Sequence, residues 1–224
     1  MIDLHEKGKA TFDWWQDWRG ECAAIIGAGP SVKKEDVEKL KDRIHVIAIN
    51  ESHRLCPWAE ILYSCDLQWW RLRNGAKDFA GLKLTQDKDA ARMFPDVKKI
   101  TVQTLHSPTV HSNDLLVDTP GVVGSGGNGG FQMTNLLVQF GITGIMLLGF
   151  DMRAIGGKVH WHGNHPEPLW NPQEGNYQLW RTCFAGIAPK LKALDIDVVN
   201  CSPASTLNAF PKITVDDALK RWTL

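Results

Sequence analysis

Short apolar runs closed by small or polar residues alternate along this chain with stretches in which apolar positions recur among charges at helical spacing. The first such run, "CAAIIGAG" (22–29), ends in glycines, which predicts a buried strand entering a tight turn. In "SVKKEDVEKLKD" (31–42), Val32, Val37 and Leu40 sit among charges and Ser31 stands where a cap belongs, so a helix is expected. "IHVIAIN" (44–50) is β-branched and apolar and reads as a second buried strand. Strand, glycine turn, helix and strand form one βαβ unit. The alternation then recurs: strands are expected over 59–64, 98–105, 142–151 and 196–202. Helices are expected over 66–75, 129–141, 174–195 (interrupted near Pro189) and 214–222, the last capped by Thr214. Residues 1–20 read as a short helical lead-in rich in tryptophan, and 106–127 as loop. This order implies a mostly parallel sheet covered by helices on both faces. The expectation is an α/β, doubly wound, Rossmann-like fold, one domain over residues 1–224.

Composition narrows the partners. Lysine plus arginine and aspartate plus glutamate number 25 each, so charge does not indicate a nucleic-acid binder. Cys22, Cys56, Cys65, Cys183 and Cys201 are scattered, with no CxxC pair, the pattern of reduced thiols in a cytoplasmic protein. No apolar run approaches the roughly 20 residues that span a bilayer, and the polar start "MIDLHEKGKATFDWW" shows no signal peptide. Ten tryptophans are many. Packing explains most of them; the alternatives are a ring-stacking platform for sugars or bases, or the subunit interface of a homo-oligomer.

In open parallel sheets, ligands bind beyond the carboxyl ends of the strands, where strand order switches. The residues expected there are Gly27, Ala28, Gly29, Pro30 and Ser31 after the first strand, Asn50 after the second, and Ser64 and Asp66 after the third. Asn128, Gly129 and Gly130 close "GSGGNGG" (124–130), Asp151 ends the central strand, and Ser205 follows the last. Small and hydrogen-bonding residues at one edge suit a nucleotide. Gly27 and Gly29 would let backbone approach a phosphate or ribose, so Gly29→Val is expected to block binding by filling that space. The full GxGxxG pattern is absent, and Asn50 replaces the acidic residue of a plain NAD site. Asp151 could instead cap a turn.

"HWHGNH" (160–165) gathers three of the eight histidines. His-x-His-x-Asn-His is one residue from the zinc-binding His-x-His-x-Asp-His of metallo-β-lactamase-type hydrolases, but the flanking α/β order differs. The competing readings are a solvated loop and a histidine acid or base beside a nucleotide, since imidazole titrates near working pH.

"IIGAGPSVKKEDVEKLKDRIHVIAINES", "GNGGFQMTNLLVQFGITGIMLLGFDM" and "DIDVVNCSPASTLNAFPKI" together resemble the bacterial sialyltransferases that use CMP-sialic acid (glycosyltransferase family 42). They also resemble the related motility-associated-factor and MptE-like proteins, and proteins common in phage and prophage genomes. The resemblance covers most of residues 22–213. It implies a metal-independent glycosyltransferase that needs no cofactor beyond its donor, a CMP-linked or other nucleotide sugar, and transfers to a hydroxyl acceptor. It implies nucleotide contacts from Gly27, Gly29, Ser31, Asn50 and the Asn128–Gly130 segment, and a base at His165, with His160 and His162 orienting it or the ligand. A phage-encoded chain would act in the cytoplasm of a bacterial host. Ala28 and Ser64 stand where the sialyltransferases carry asparagines, and the Thr-Ser hydroxyls before the later helix are missing. The MptE-like branch implies instead a Mg²⁺-dependent phosphoryl or pyrophosphoryl transferase using Asp66 and Asp151. A non-catalytic nucleotide- or nucleic-acid-binding protein is the third reading.

Overall fold

The computed structural model describes residues 4–107 and 109–224; the first three residues of the expected lead-in and position 108 of the expected loop lie outside the described residues. The elements, in chain order, are α1 (Leu4–Thr11), β1 (Cys22–Ile26), α2 (Lys34–Glu38), β2 (His45–Ile49), β3 (Ile61–Tyr63), α3 (Leu67–Leu72), β4 (Leu82–Thr85), α4 (Lys88–Met93), β5 (Val97–Lys99), β6 (Thr101–Val102), β7 (Val122–Val123), α5 (Gly129–Gln139), β8 (Gly144–Leu148), α6 (Glu174–Ala193), β9 (Asp197–Asn200) and α7 (Val215–Arg221). A short 3₁₀ turn, Asn50–Arg54, follows β2.

Seven strands form one sheet in the order β5-β4-β3-β2-β1-β8-β9, and every neighbouring pair is parallel. The Rossmann-like expectation is therefore met. Strand order runs outward from β1 toward β5, then returns to β8 on the other flank, so the switch point lies between β1 and β8.

Side chains alternate across the sheet, as a period of two requires. Ile25, Ile47, Ile145 and Leu147 face the layer containing Phe131, Phe140 and Phe184 from α5, α6 and their surroundings. Ala24, Ile26, Val46, Ala48, Met146 and Leu148 face the layer of Val37, Trp69, Trp70, Ala218 and Leu219. Trp14, Trp15 and Trp18 pack into the first core, with Trp15 and Trp18 edge-on to Phe140. Each such burial contributes about 1.5–3 kcal/mol, as for other large apolar side chains. Packing thus explains the paired tryptophans of the lead-in and of α3.

Four expectations are corrected. "LKLT" forms β4 between β3 and β5, although the sequence reading assigned no strand there. The strand expected over 98–105 divides at Ile100, whose backbone N–H donates to Thr85 O, and its second part pairs with β7 inside the expected loop. The helix over 174–195 runs through Pro189 without interruption. Ser31 does not cap α2, whose N-terminal flank is Lys33 and has no side-chain cap, whereas Thr214 does cap α7 by accepting from Asp217 N. No helix among the described residues is long and apolar enough to cross a membrane.

Candidate functional site

A cavity of about 440 Å³ opens at the carboxyl ends of β1, β2, β3 and β8, over the switch point, within the size range of small-molecule sites. Eleven of the residues expected at a site line it: Gly27, Ala28, Gly29, Asn50, Asp66, Asn128, Gly129, Gly130, Asp151, His160 and His165. Pro30, Ser31, Ser64, Ser205 and His162 do not. A smaller cavity of about 260 Å³ shares Asn50, Asp66, His165 and Trp170 with the first.

In the glycine turn after β1 the backbone N–H groups of Gly27, Gly29 and Ser31 bond within the protein, while Ser31 Oγ is buried without a partner. Gly27 N donates to Leu148 O, Gly29 N to Gly149 O, and Ser31 N to Asp151 Oδ2 at 2.9 Å. Its carbonyls are taken too: Gly27 O accepts from Ser52 Oγ, Ala28 O from Trp161 N, and Gly29 O from Val32 N. A Cβ on Gly29 would stand 2.3 Å from Asp151 Oδ2 and 2.5 Å from Gly149 O; one on Gly27 would stand 2.8 Å from Gly149 O. These glycines allow two strand-end turns to touch. Gly27, Ala28 and Gly29 still border the cavity, and a valine side chain at position 29 would meet Asp151 and Gly149 whether or not a ligand is bound.

Other expected residues divide between structure and site. Asn128 caps α5 by accepting from Phe131 N, and Cβ atoms on Gly129 and Gly130 would meet Tyr63 and Phe150. The first turn of α5 nevertheless borders the cavity, and the first N–H groups of a helix have no helical acceptor. Ser205 Oγ accepts from Asn200 Nδ2 and Leu207 N and donates to Phe150 O, a role that braces the turn after β8. Asp151 both caps the glycine turn and lines the cavity, and its Oδ1 is buried with no partner. Burial raises its carboxyl above the ordinary range, against the hydrogen bond from Ser31. Asp66 is raised as well, by burial and then by the charge of Asp87.

Asn50 holds the left-handed backbone conformation, φ 50°, at the end of β2, and its Oδ1 is buried without a partner. A strained residue with an unsatisfied polar atom on a cavity wall marks a place built for a ligand. Tyr177 OH, on the same wall, is also buried and unpartnered. Tyr177 and Trp180 lie three residues apart on α6 and therefore on one face, with ring centroids 5.5 Å apart. Trp170, 58 % exposed, borders both cavities. These three aromatic residues were missed in the sequence; the i, i+3 spacing on α6 was the available signal.

The loop after β8 brings the three histidines together. Their ring centroids are 5.1 Å (His160–His162), 4.4 Å (His160–His165) and 4.9 Å (His162–His165) apart. The loop is anchored by Trp161 N on Ala28 O and by His165 N on Asn171 Oδ1 at 2.8 Å. Burial, reinforced by the neighbouring rings, pushes His160 down to about 3; burial and His165 push His162 down to about 4. Burial lowers His165 also. All three are neutral at physiological pH. Beside them Glu51 is 1 % exposed, held by Trp69 Nε1 at 3.0 Å and by Arg73 Nε at 2.8 Å.

No family model, curated protein or solved structure matches the chain. The site is therefore read from its own geometry: a cavity with unpaired polar atoms, the buried carboxyl of Asp151 and the exposed one of Asp66, three aromatic rings and a group of imidazoles.

Proposed function

We propose that the chain is a nucleotide-dependent transferase of the glycosyltransferase kind, acting in the switch-point cavity. The observation that carries this reading is the convergence there of unsatisfied Asn50 Oδ1, Asp151 Oδ1 and Tyr177 OH with neutral His160 and His165. The unsatisfied atoms suit a polar ring system such as a nucleoside or sugar, and Trp170, Tyr177 and Trp180 supply faces for stacking. The start of α5 suits the donor's phosphate. The acceptor oxygen attacks the anomeric carbon, the bond from that carbon to the phosphate oxygen breaks, and the electron pair leaves with the phosphate. The acceptor's proton passes to the histidine cluster, whose member His165 borders both cavities. The resemblance to CMP-sialic-acid sialyltransferases supports the same reaction class; the altered positions Ala28 and Ser64 leave the donor sugar open.

The placement of Asp66 and Asp151 on the cavity wall favours a second reading, Mg²⁺-dependent phosphoryl or pyrophosphoryl transfer from ATP. Thermal unfolding with CMP, UDP, GDP, ADP, ATP and CMP-sialic acid, each with and without Mg²⁺, separates the two. A ligand of the folded state raises the melting temperature. Stabilisation by a nucleoside mono- or diphosphate without Mg²⁺ is expected. Stabilisation by ATP with Mg²⁺ alone selects the second reading, and no shift with any nucleotide overturns both.

A further inference from the structure

One ring nitrogen from each of His160, His162 and His165 lies within 4.8 Å of the other two. Each ring also carries a buried nitrogen with no hydrogen-bond partner in the protein: Nε2 of His160, Nε2 of His162 and Nδ1 of His165. Buried polar atoms are nearly always paired, so three unpaired nitrogens in one cluster call for a common partner. We infer that His160, His162 and His165 form a binding site for one divalent transition-metal ion of the zinc class.

The spacing fits such an ion. Three points mutually within 4.8 Å share a centre no more than about 2.8 Å from each, against about 2.0–2.1 Å for a zinc–imidazole bond. Side-chain rotation of less than about 1 Å closes that gap, and the rings sit on a loop turned by Gly163 at φ 92° with open space around it. The ligand type fits as well. Imidazole alone suits zinc, copper, iron or nickel, whereas Mg²⁺ and Ca²⁺ require oxygen; no carboxylate joins the group among the described residues. The negative charge of Glu51 acts on all three, opposed by Arg54 and Arg73 at His162 and by Arg73 at His165.

Three protein ligands leave a zinc ion one position for an outside oxygen, and His160 and His165 belong to the cavity wall. With all three imidazoles on the ion none would be free as a base; the metal would instead lower the proton affinity of an acceptor oxygen, and its proton would leave to solvent. That last step rests on the reading under Proposed function; metal binding itself does not.

The test is calorimetric titration of the chelator-stripped full chain with Zn²⁺ in the absence of nucleotide, with Co²⁺ absorption as a second probe. One equivalent is expected to bind, with a Co²⁺ spectrum of low-coordinate nitrogen ligation. His162→Ala is expected to weaken zinc about 100-fold or more, since even outer contacts to a metal site are worth about 10–100-fold. His106→Ala, an exposed histidine elsewhere, should change nothing. If His162→Ala fails to fold by circular dichroism, His162→Gln is read instead. No stoichiometric zinc at tens of micromolar, or unchanged binding in the variant replacing all three histidines, overturns the inference. Zinc binding without any nucleotide shift would remove the proposed function and leave the metal site; a nucleotide shift without zinc binding would do the reverse.

Discussion

Two strand-end segments meet at the switch point, and they differ in what their polar groups do. In the glycine turn after β1, the N–H groups of Gly27, Gly29 and Ser31 and the carbonyls of Gly27, Ala28 and Gly29 all bond within the protein. In the loop after β8, three imidazoles crowd together with buried nitrogens that bond to nothing in the protein. The turn joins two strand ends through its backbone and also borders the cavity. The histidine loop has capacity left over. Unsatisfied groups, rather than glycine spacing, show where a ligand would be stabilised, because burying a polar atom unpaired costs about 1–3 kcal/mol.

The sharpest way to break this comparison is Gly29→Val. A joint should fail structurally, because the new Cβ would stand 2.3 Å from Asp151 Oδ2 and 2.5 Å from Gly149 O. We expect a loss of about 3 kcal/mol or more, as for severe overpacking, and a fall in melting temperature of roughly 6–12 °C for a chain this size. A variant with wild-type melting temperature and lost nucleotide affinity would restore the phosphate-binding role. Next comes His165→Ala. Turnover of a nucleotide-sugar donor should fall at least about 100-fold, equivalent to about 2.7 kcal/mol, with the melting temperature nearly unchanged. Equal turnover in variant and wild type would remove His165 from the chemistry.

The parallel sheet was legible because its central strands are apolar on both faces: β1, β2 and β8 carry almost no polar side chain. β4 was not legible. Its Lys83 reads as an interruption, yet it is only 5 % exposed because its ammonium pairs with Asp96 and reaches Gly75 O. The continuity of α6 through Pro189 was equally hidden, since packing of Phe184, Ile187 and Leu191 against the core offsets the one backbone bond a proline removes. For the site, sequence order showed which residues follow a strand, and eleven of them reach the cavity. It did not show direction. Ser205 and Ser31 stand at the right edge, but Ser205 Oγ bonds inward and Ser31 uses its backbone. Trp170, Tyr177 and Trp180 come from segments that lie outside the strand ends in sequence and reach the cavity only through folding.

Asp151 belongs to both segments, and two substitutions separate its roles. Asp151→Ala removes the acceptor of Ser31 N and should destabilise by about 1–2 kcal/mol. Asp151→Asn keeps an acceptor oxygen and removes only the charge. It should leave the melting temperature within about 2 °C of wild type, roughly 0.5 kcal/mol. Any stabilisation by ATP with Mg²⁺ should disappear in the Asn variant if that carboxylate holds the metal. Equal thermal shifts for Ala and Asn would show that the cap contributes nothing, and the joint would then rest on the backbone bonds alone.

A fourth histidine calibrates the cluster. His45, at the opposite end of the sheet, has both ring nitrogens paired, Nδ1 to Glu60 and Nε2 to Glu21, each at 2.7 Å, and its ring stacks on Trp18 with centroids 4.0 Å apart. Burial works against its charge, but the two carboxylates outweigh it and its affinity for a proton rises. Burial, with the neighbouring imidazoles and no carboxylate bonded to the ring, drives His160 the other way. Because the folded state binds this proton more tightly than the unfolded chain, His45 stabilises fully below the ordinary histidine value of about 6.5. That contribution is lost as pH rises through the higher folded value. Solvent reaches the pair, so we expect about 1 kcal/mol or less. Urea unfolding of wild type and His45→Gln from pH 6 to 9 measures it: the gap between the two should be widest at pH 6 and shrink as pH rises. A gap independent of pH would mean that stacking on Trp18, rather than charge, holds His45, and that partners do not explain why it differs from the histidines of the loop.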